Sequence, residues 1–117
     1  AVVVYDGRIY CPPHDASHVL RIDPGTRNVD VIGPDLGPTQ AKYWSAVTVA
    51  IGEVFCPPYG ASRVLYMDTQ RSFVELIGPD LGEGEKKWRS IALANDTLAF
   101  SPPCCADQVL RLDLAER

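Results

Sequence analysis

The sequence predicts an all-β chain built from tandem four-stranded antiparallel units, and three observations carry that prediction. A unit of 45 residues recurs along the chain. Within each unit the apolar residues fall in short alternating or β-branched runs separated by Gly, Pro and Asp, the pattern of strands rather than of a helix. The composition is globular: 46% hydrophobic and 22% charged residues, with 9 Gly and 10 Pro, which excludes a disordered or collagenous chain. At 117 residues the chain is long enough to bury a core and too short for two conventional domains.

The repeat is visible as recurring words. Cys11-Pro12-Pro13 returns as Cys56-Pro57-Pro58 and again as Ser101-Pro102-Pro103. Val31-Ile32-Gly33-Pro34-Asp35-Leu36-Gly37 returns as Leu76-Ile77-Gly78-Pro79-Asp80-Leu81-Gly82. Residues 1–45 laid over 46–90 without a gap give 21 identities. The third copy is partial, with Ala106, Val109, Leu110 and Asp113 on the same positions. The chain therefore reads as one domain, 1–117, of three repeats at 1–45, 46–90 and 91–117.

Four strands, A to D, are predicted in each full repeat. The first copy supplies Ala1–Tyr5, Arg8–Cys11, His18–Ile22 and Asn28–Ile32; the second supplies Ser45–Ala50, Glu53–Cys56, Arg63–Met67 and Phe73–Ile77; the third supplies Ser90–Ala94, Thr97–Ser101 and Gln108–Leu112. Strands A and B are joined by the tight turns Asp6-Gly7 and Ile51-Gly52. Strands C and D are joined through Asp23-Pro24-Gly25-Thr26 and its counterpart at Asp68, where a carboxylate can accept backbone N–H bonds and, in the first copy, Gly can take positive φ. Proline pairs end strand B because proline has no donor for the ladder and disfavours a helical residue before it. Tandem four-stranded units of this length are the pattern of β-propeller blades.

The run Ser17-His18-Val19-Leu20-Arg21-Ile22-Asp23-Pro24-Gly25-Thr26-Arg27-Asn28-Val29 resembles the V-x-V-I-D-x-x-T-x-x-V core of YVTN and NHL-like propeller repeats. A more distant likeness to kelch repeats is weaker. The Gly-Gly pair of kelch strand B is absent, and Trp44 falls opposite Arg89 while Trp88 falls opposite Tyr43. What the resemblance implies is a fold, not an activity.

Closed propellers have about 4 to 8 blades, and three cannot close a ring. Two copies of the chain would supply six blades through head-to-tail contact, so a homodimeric six-bladed ring is expected. The chain also starts inside strand A, has Met67 as its one Met and ends before a final strand D, which fits a piece of a longer propeller completed by further blades.

Strands in a blade run up and down, so the B–C and D–A loops share one face. The candidate ligand-binding residues on it are His14, Lys42, Tyr43, Trp44, Tyr59, Lys87 and Trp88. Aromatic residues beside charge on loops of a rigid scaffold suit a protein, peptide or glycan partner. The competing structural reading packs Tyr43 and Trp88 between blades and makes the Gly-Pro-Asp-Leu-Gly segments plain turns.

Other chemistries are weaker in this sequence. Cys11, His14 and His18 have zinc-like spacing, but the equivalent positions are Cys56, Tyr59 and Arg63, then Ser101, Cys104 and Gln108, so no ligand set repeats and no metal is expected. Cys11 and Cys56 stand at one place in adjacent sheets about 10 Å apart, beyond disulfide reach, and read as small buried thiols. Cys104-Cys105 is a candidate redox pair, although adjacent Cα atoms about 3.8 Å apart strain a bridge. Four cysteines without a disulfide framework fit an intracellular chain, whereas Asn95-Asp96-Thr97 is a sequon with meaning only in secretion. Asp23, Asp68 and Asp113 recur as turn caps. No phosphate loop or nucleophile elbow occurs, so no cofactor is expected. An enzyme with a site in the propeller channel is the alternative, and it would need polar groups where Val2, Val4, Val47, Val49, Ala92 and Ala94 stand. A net charge of −4 without a basic cluster disfavours nucleic acid, and the apolar runs are far short of the roughly 20 residues of a membrane helix.

Overall fold

The computed structural model describes residues 3–49, 52–82 and 84–114. Ala1, Val2, Ala50, Ile51 and residues 115–117, which the sequence reading places in strands, a turn and the third repeat, lie outside the described residues. The described chain is all-β, with no helix and hence none long and apolar enough to cross a membrane.

Eleven strands form three antiparallel sheets. The first contains β1 (Val3–Tyr5), β2 (Arg8–Cys11), β3 (Val19–Asp23) and β4 (Asn28–Ile32), paired in chain order. The second contains β5 (Val47–Thr48), β6 (Glu53–Cys56), β7 (Val64–Asp68) and β8 (Phe73–Ile77), also in chain order. The third contains β9 (Ala92–Asn95), β10 (Leu98–Ser101) and β11 (Leu110–Asp113), with β11 at its edge.

Registers repeat with the sequence. Val19 pairs with Ile32 and Arg21 with Asp30 in the first sheet, as Val64 pairs with Ile77 and Tyr66 with Glu75 in the second. Strand C begins one residue later than predicted in the first two sheets and two later in the third, and runs on to include Asp23, Asp68 and Asp113. The aspartates close the strand and cap the turn at once: Asp23 Oδ1 accepts from Gly25 and Thr26 N–H, and Asp68 Oδ1 accepts from Gln70 and Arg71 N–H. β5 is only two residues long, against the predicted Ser45–Ala50.

The middle sheet is the core. All four residues of β6 are buried, as are the first four of β7, because each face of this sheet meets a neighbour. Val54, Cys56, Leu65, Met67 and Val74 pack with Tyr10, Val19 and Ile32 of the first sheet. Phe55, Val64, Tyr66 and Ile77 pack with Ala99, Leu110 and Leu112 of the third. Pleating sends alternate side chains to opposite faces, so one strand serves both clusters. The stack is open at its ends: Val29 and Val31 on the first sheet are 60% and 65% exposed, and Phe100 and Val109 on the third are 37% and 58% exposed.

Candidate functional site

The links between sheets, residues 33–46 and 78–91, thread between the B–C loops. Lys42 N–H donates to His14 O of the loop before it, while Lys42 O accepts from Tyr59 and Ala61 N–H of the loop after it. The second link repeats this: Lys87 N–H donates to Tyr59 O, and Lys87 O accepts from Cys104 and Ala106 N–H. Bridges between Tyr43 and Pro58 and between Trp88 and Pro103 complete the pattern. Each link is thus a hydrogen-bonded stitch holding adjacent sheets together, and the loops of both repeats meet on one face.

Residues of this face divide by burial. Lys42 and Tyr43 are 1% exposed, Lys87 5% and Trp88 6%. Tyr43 Oη donates to Arg63 O at 2.9 Å, and Trp88 Nε1 donates to Gln108 O at 3.0 Å, the same contact one repeat on. Lys42 Nζ donates to Ala16 O at 2.7 Å and Asp15 O at 3.4 Å, and Lys87 Nζ donates to Gly84 O. These four side chains tie loops down. Burial raises the Tyr43 phenol well above its ordinary range, with the Cys56 thiol adding to the rise and Arg63 opposing it. Burial lowers the Lys42 ammonium against the pull of Asp15 and Asp35.

Trp44 points the other way. It is 42% exposed and lies edge-on to His14, with ring centroids 5.5 Å apart, and tilted against Tyr59 at 5.2 Å. The Arg89 guanidinium carbon sits 4.8 Å from the Trp44 ring centroid, a cation on an aromatic face. His14 Nδ1 lies 3.3 Å from Asp15 Oδ1. His14, Trp44, Tyr59 and Arg89 therefore make a row that alternates loop and link residues across the first two repeats. Tyr59, itself only 7% exposed, is the floor of that row.

Sequence reasoning passed over Arg89. The signal was available, because Arg89 occupies in the second link the place of Trp44 in the first, and adjacent repeats put equivalent residues side by side. Among the described residues no three His, Cys, Asp or Glu side chains group to hold a metal ion. Cys104 and Cys105 are free and exposed, and Cys11 is free and half-buried. Cys56 is fully buried, and burial pushes its thiol up to about 12, which keeps it protonated and unreactive near neutral pH. Val47 and Val49 pack into the second core cluster, and Ala92 and Ala94 carry no chemistry. The Val2 position lies outside the described residues.

No protein-family model matches the chain, and no curated protein matches it in sequence.

Proposed function

We propose that the protein is a non-catalytic binding module of propeller type, in which stacked blade-like sheets hold a recognition face of B–C and D–A loops. The observation that carries this reading is the Trp44 row. Its neighbours Lys42 and Tyr43 are spent on fixing the link, and the rigid link then holds a large aromatic ring and a guanidinium at the surface. Tryptophan, tyrosine and arginine are the side chains that dominate protein-binding hot spots, because they bring large area and few rotamers to lose. With the Arg89 guanidinium over one face of Trp44, the part-exposed ring stands beside positive charge. That chemistry favours a peptide or protein segment with an acidic and an apolar residue over a flat sugar ring.

Selection of random peptides on the immobilised chain, followed by titration of the enriched peptides against Trp44→Ala, tests the proposal. Loss of about tenfold or more in affinity, with circular dichroism unchanged, is the expected result for a hot-spot residue. Enriched peptides that bind Trp44→Ala and Arg89→Ala as well as the parent would overturn it.

The same reading has the ring closed by a second copy. The open face of the first sheet carries Ile9, Cys11, Leu20, Ile22, Val29 and Val31, the repeat counterparts of Val54, Cys56, Leu65, Met67, Val74 and Leu76. Those counterparts are the residues that the middle sheet uses to pack on the sheet before it. The open face of the third sheet presents Phe100 and Val109, the counterparts of Tyr10 with Phe55 and of Val19 with Val64. Each open end therefore offers one half of an interface that the chain already makes twice within itself, which supports head-to-tail pairing.

A further inference from the structure

At the end of the strands away from the Trp44 row, a cleft of about 350 Å³ opens between the first two sheets, lined by Tyr5, Asp6, Arg8, Tyr10, Thr69 and Gln70. Local structure sets its walls. Asp6-Gly7 joins β1 to β2 in two residues, with φ of +52° and +78°, the tight hairpin turn that Asp-Gly favours. Tyr5 pairs with Arg8 across that hairpin and Tyr10 lies two residues on from Arg8, so the three side chains share the sheet face turned to the second sheet. Thr69 and Gln70, in the turn after β7, form the other wall.

The floor is closed by bonds that hold the two sheets. Tyr10 Oη donates to Thr69 O at 3.1 Å, and Thr69 Oγ1 donates to Gly52 O at 2.7 Å. The Tyr5 ring lies so near Gly52 that an added Cβ would meet it at 2.8 Å. The rim is different. Asp6, Arg8 and Gln70 are exposed, and among the described residues the Asp6 carboxylate, the Gln70 amide and the Tyr5 hydroxyl make no hydrogen bond. Arg8 has one loose ion pair, Nε to Asp23 Oδ2 at 3.7 Å, beyond hydrogen-bond range, which leaves the guanidinium fork unfilled.

The repeat shows that stacking does not require this polar set. Residues 1–45 and 46–90 share 21 identities, yet none falls at Tyr5, Asp6, Arg8 or Tyr10. One repeat on from the lining residues stand Ala50, Ile51, Glu53, Phe55, Leu114 and Ala115. Of these, Glu53, Phe55 and Leu114 are buried, so the next pair of sheets hides Glu53 where this pair exposes Arg8.

We propose that this cleft binds a small zwitterion, a free α-amino acid with a polar side chain. The ligand carboxylate takes the Arg8 fork in a two-point, charge-assisted contact, and the ligand ammonium meets the Asp6 carboxylate. The Tyr5 hydroxyl and the Gln70 amide receive the polar side chain. A zwitterion answers both charges at once, whereas an anion on Arg8 would sit beside Asp6 and Asp23. A sugar would need an open aromatic face, and both rings are engaged, Tyr5 against Gly52 and Tyr10 in the core. The site shares no residue with the Trp44 row and stands or falls without it.

L-Serine and L-glutamine are the probes, titrated into the full isotope-labelled chain and followed by its amide NMR shifts. Saturable shifts at Gly7, Arg8 and Gln70 are expected, with a Kd on the order of 1 mM or tighter, since the charges are exposed. Asp6→Asn, which keeps a residue that tolerates the turn, and Arg8→Gln should each weaken binding about fivefold. The N-acetyl and carboxamide forms of the same amino acids each lack one charge and should bind about fivefold more weakly or worse, a test that needs no variant to fold. Trp44→Ala should bind as the parent does. The proposal is overturned by no saturable shift at tens of millimolar probe, by capped forms that bind as well as the free amino acids, or by binding indifferent to both Asp6→Asn and Arg8→Gln. Saturation by D-glucose in place of the amino acids also overturns it, in favour of a polyol.

Discussion

Cys56 shows how one buried group links the core to solution conditions. Its thiol ionises ordinarily at 9.0, and complete burial raises that to about 12. Between these values the unfolded chain loses the proton and the folded chain keeps it, so the contribution is intact below pH 9.0 and is lost as pH rises toward about 12. By pH 10.5 the loss is roughly 2 kcal/mol, and the buried Tyr43 phenol, raised above its ordinary 10.0, adds in the same direction. Urea unfolding at pH 8 and pH 10.5 should show this fall in the parent and a smaller one in Cys56→Ala; equal falls would remove Cys56 as a cause. Gly60 is a second residue whose identity is dictated by its surroundings. A Cβ there would lie 2.4 Å from Gln40 O and 2.7 Å from Ala41 O, both backbone atoms of the link it pairs with. Gly60→Ala should destabilise the chain by about 2 kcal/mol or more, measured by urea unfolding. A change within about 0.5 kcal/mol would mean that the link moves freely.

At the scale of elements, the links matter more than their lack of strand structure suggests. Lys42 and Lys87 are buried because their backbone groups bridge successive loops and their ammonium groups donate to carbonyls, which meets the cost of burying a charge. Strand positions and turn residues were legible in the sequence, since alternation and Asp-Pro-Gly turns are local signals. Burial of the two lysines was not, since nothing local distinguishes a lysine in a loop from one tied between loops. Met67 faces the first cluster from a strand buried on both sides, so Met67→Ala should cost about 2 to 5 kcal/mol. Val31→Thr, at the same alternation but on the open face of the first sheet, should cost less than about 1 kcal/mol in the isolated chain. Similar values from chemical denaturation would mean that the open face is covered in solution.

For the whole molecule, three stacked sheets leave Val29 and Val31 in water at one end and Phe100 and Val109 at the other, apolar side chains of the kind that mark interfaces. Head-to-tail closure by two copies predicts a single species near twice 12.8 kDa by light scattering after size exclusion. Val109→Lys should convert it to monomer, since a lysine would be buried against the partner's first sheet. A monomeric parent chain at tens of micromolar would rule out closure by a second copy.

The sequence by itself determined the repeat, the eleven strands and their order, because period, alternation and turn chemistry are written along the chain and need no distant partner. It also marked the loops that meet on one face. Only the tertiary structure decided which loop residues are buried and which are presented. Lys42, Tyr43 and Trp44 are consecutive, yet the link turns two of them into the stack and one outward, a choice set by the loops on either side. The same holds for Gly33, where a Cβ would meet Val74 of the next sheet at 2.5 Å, a contact between repeats that its own local residues do not announce.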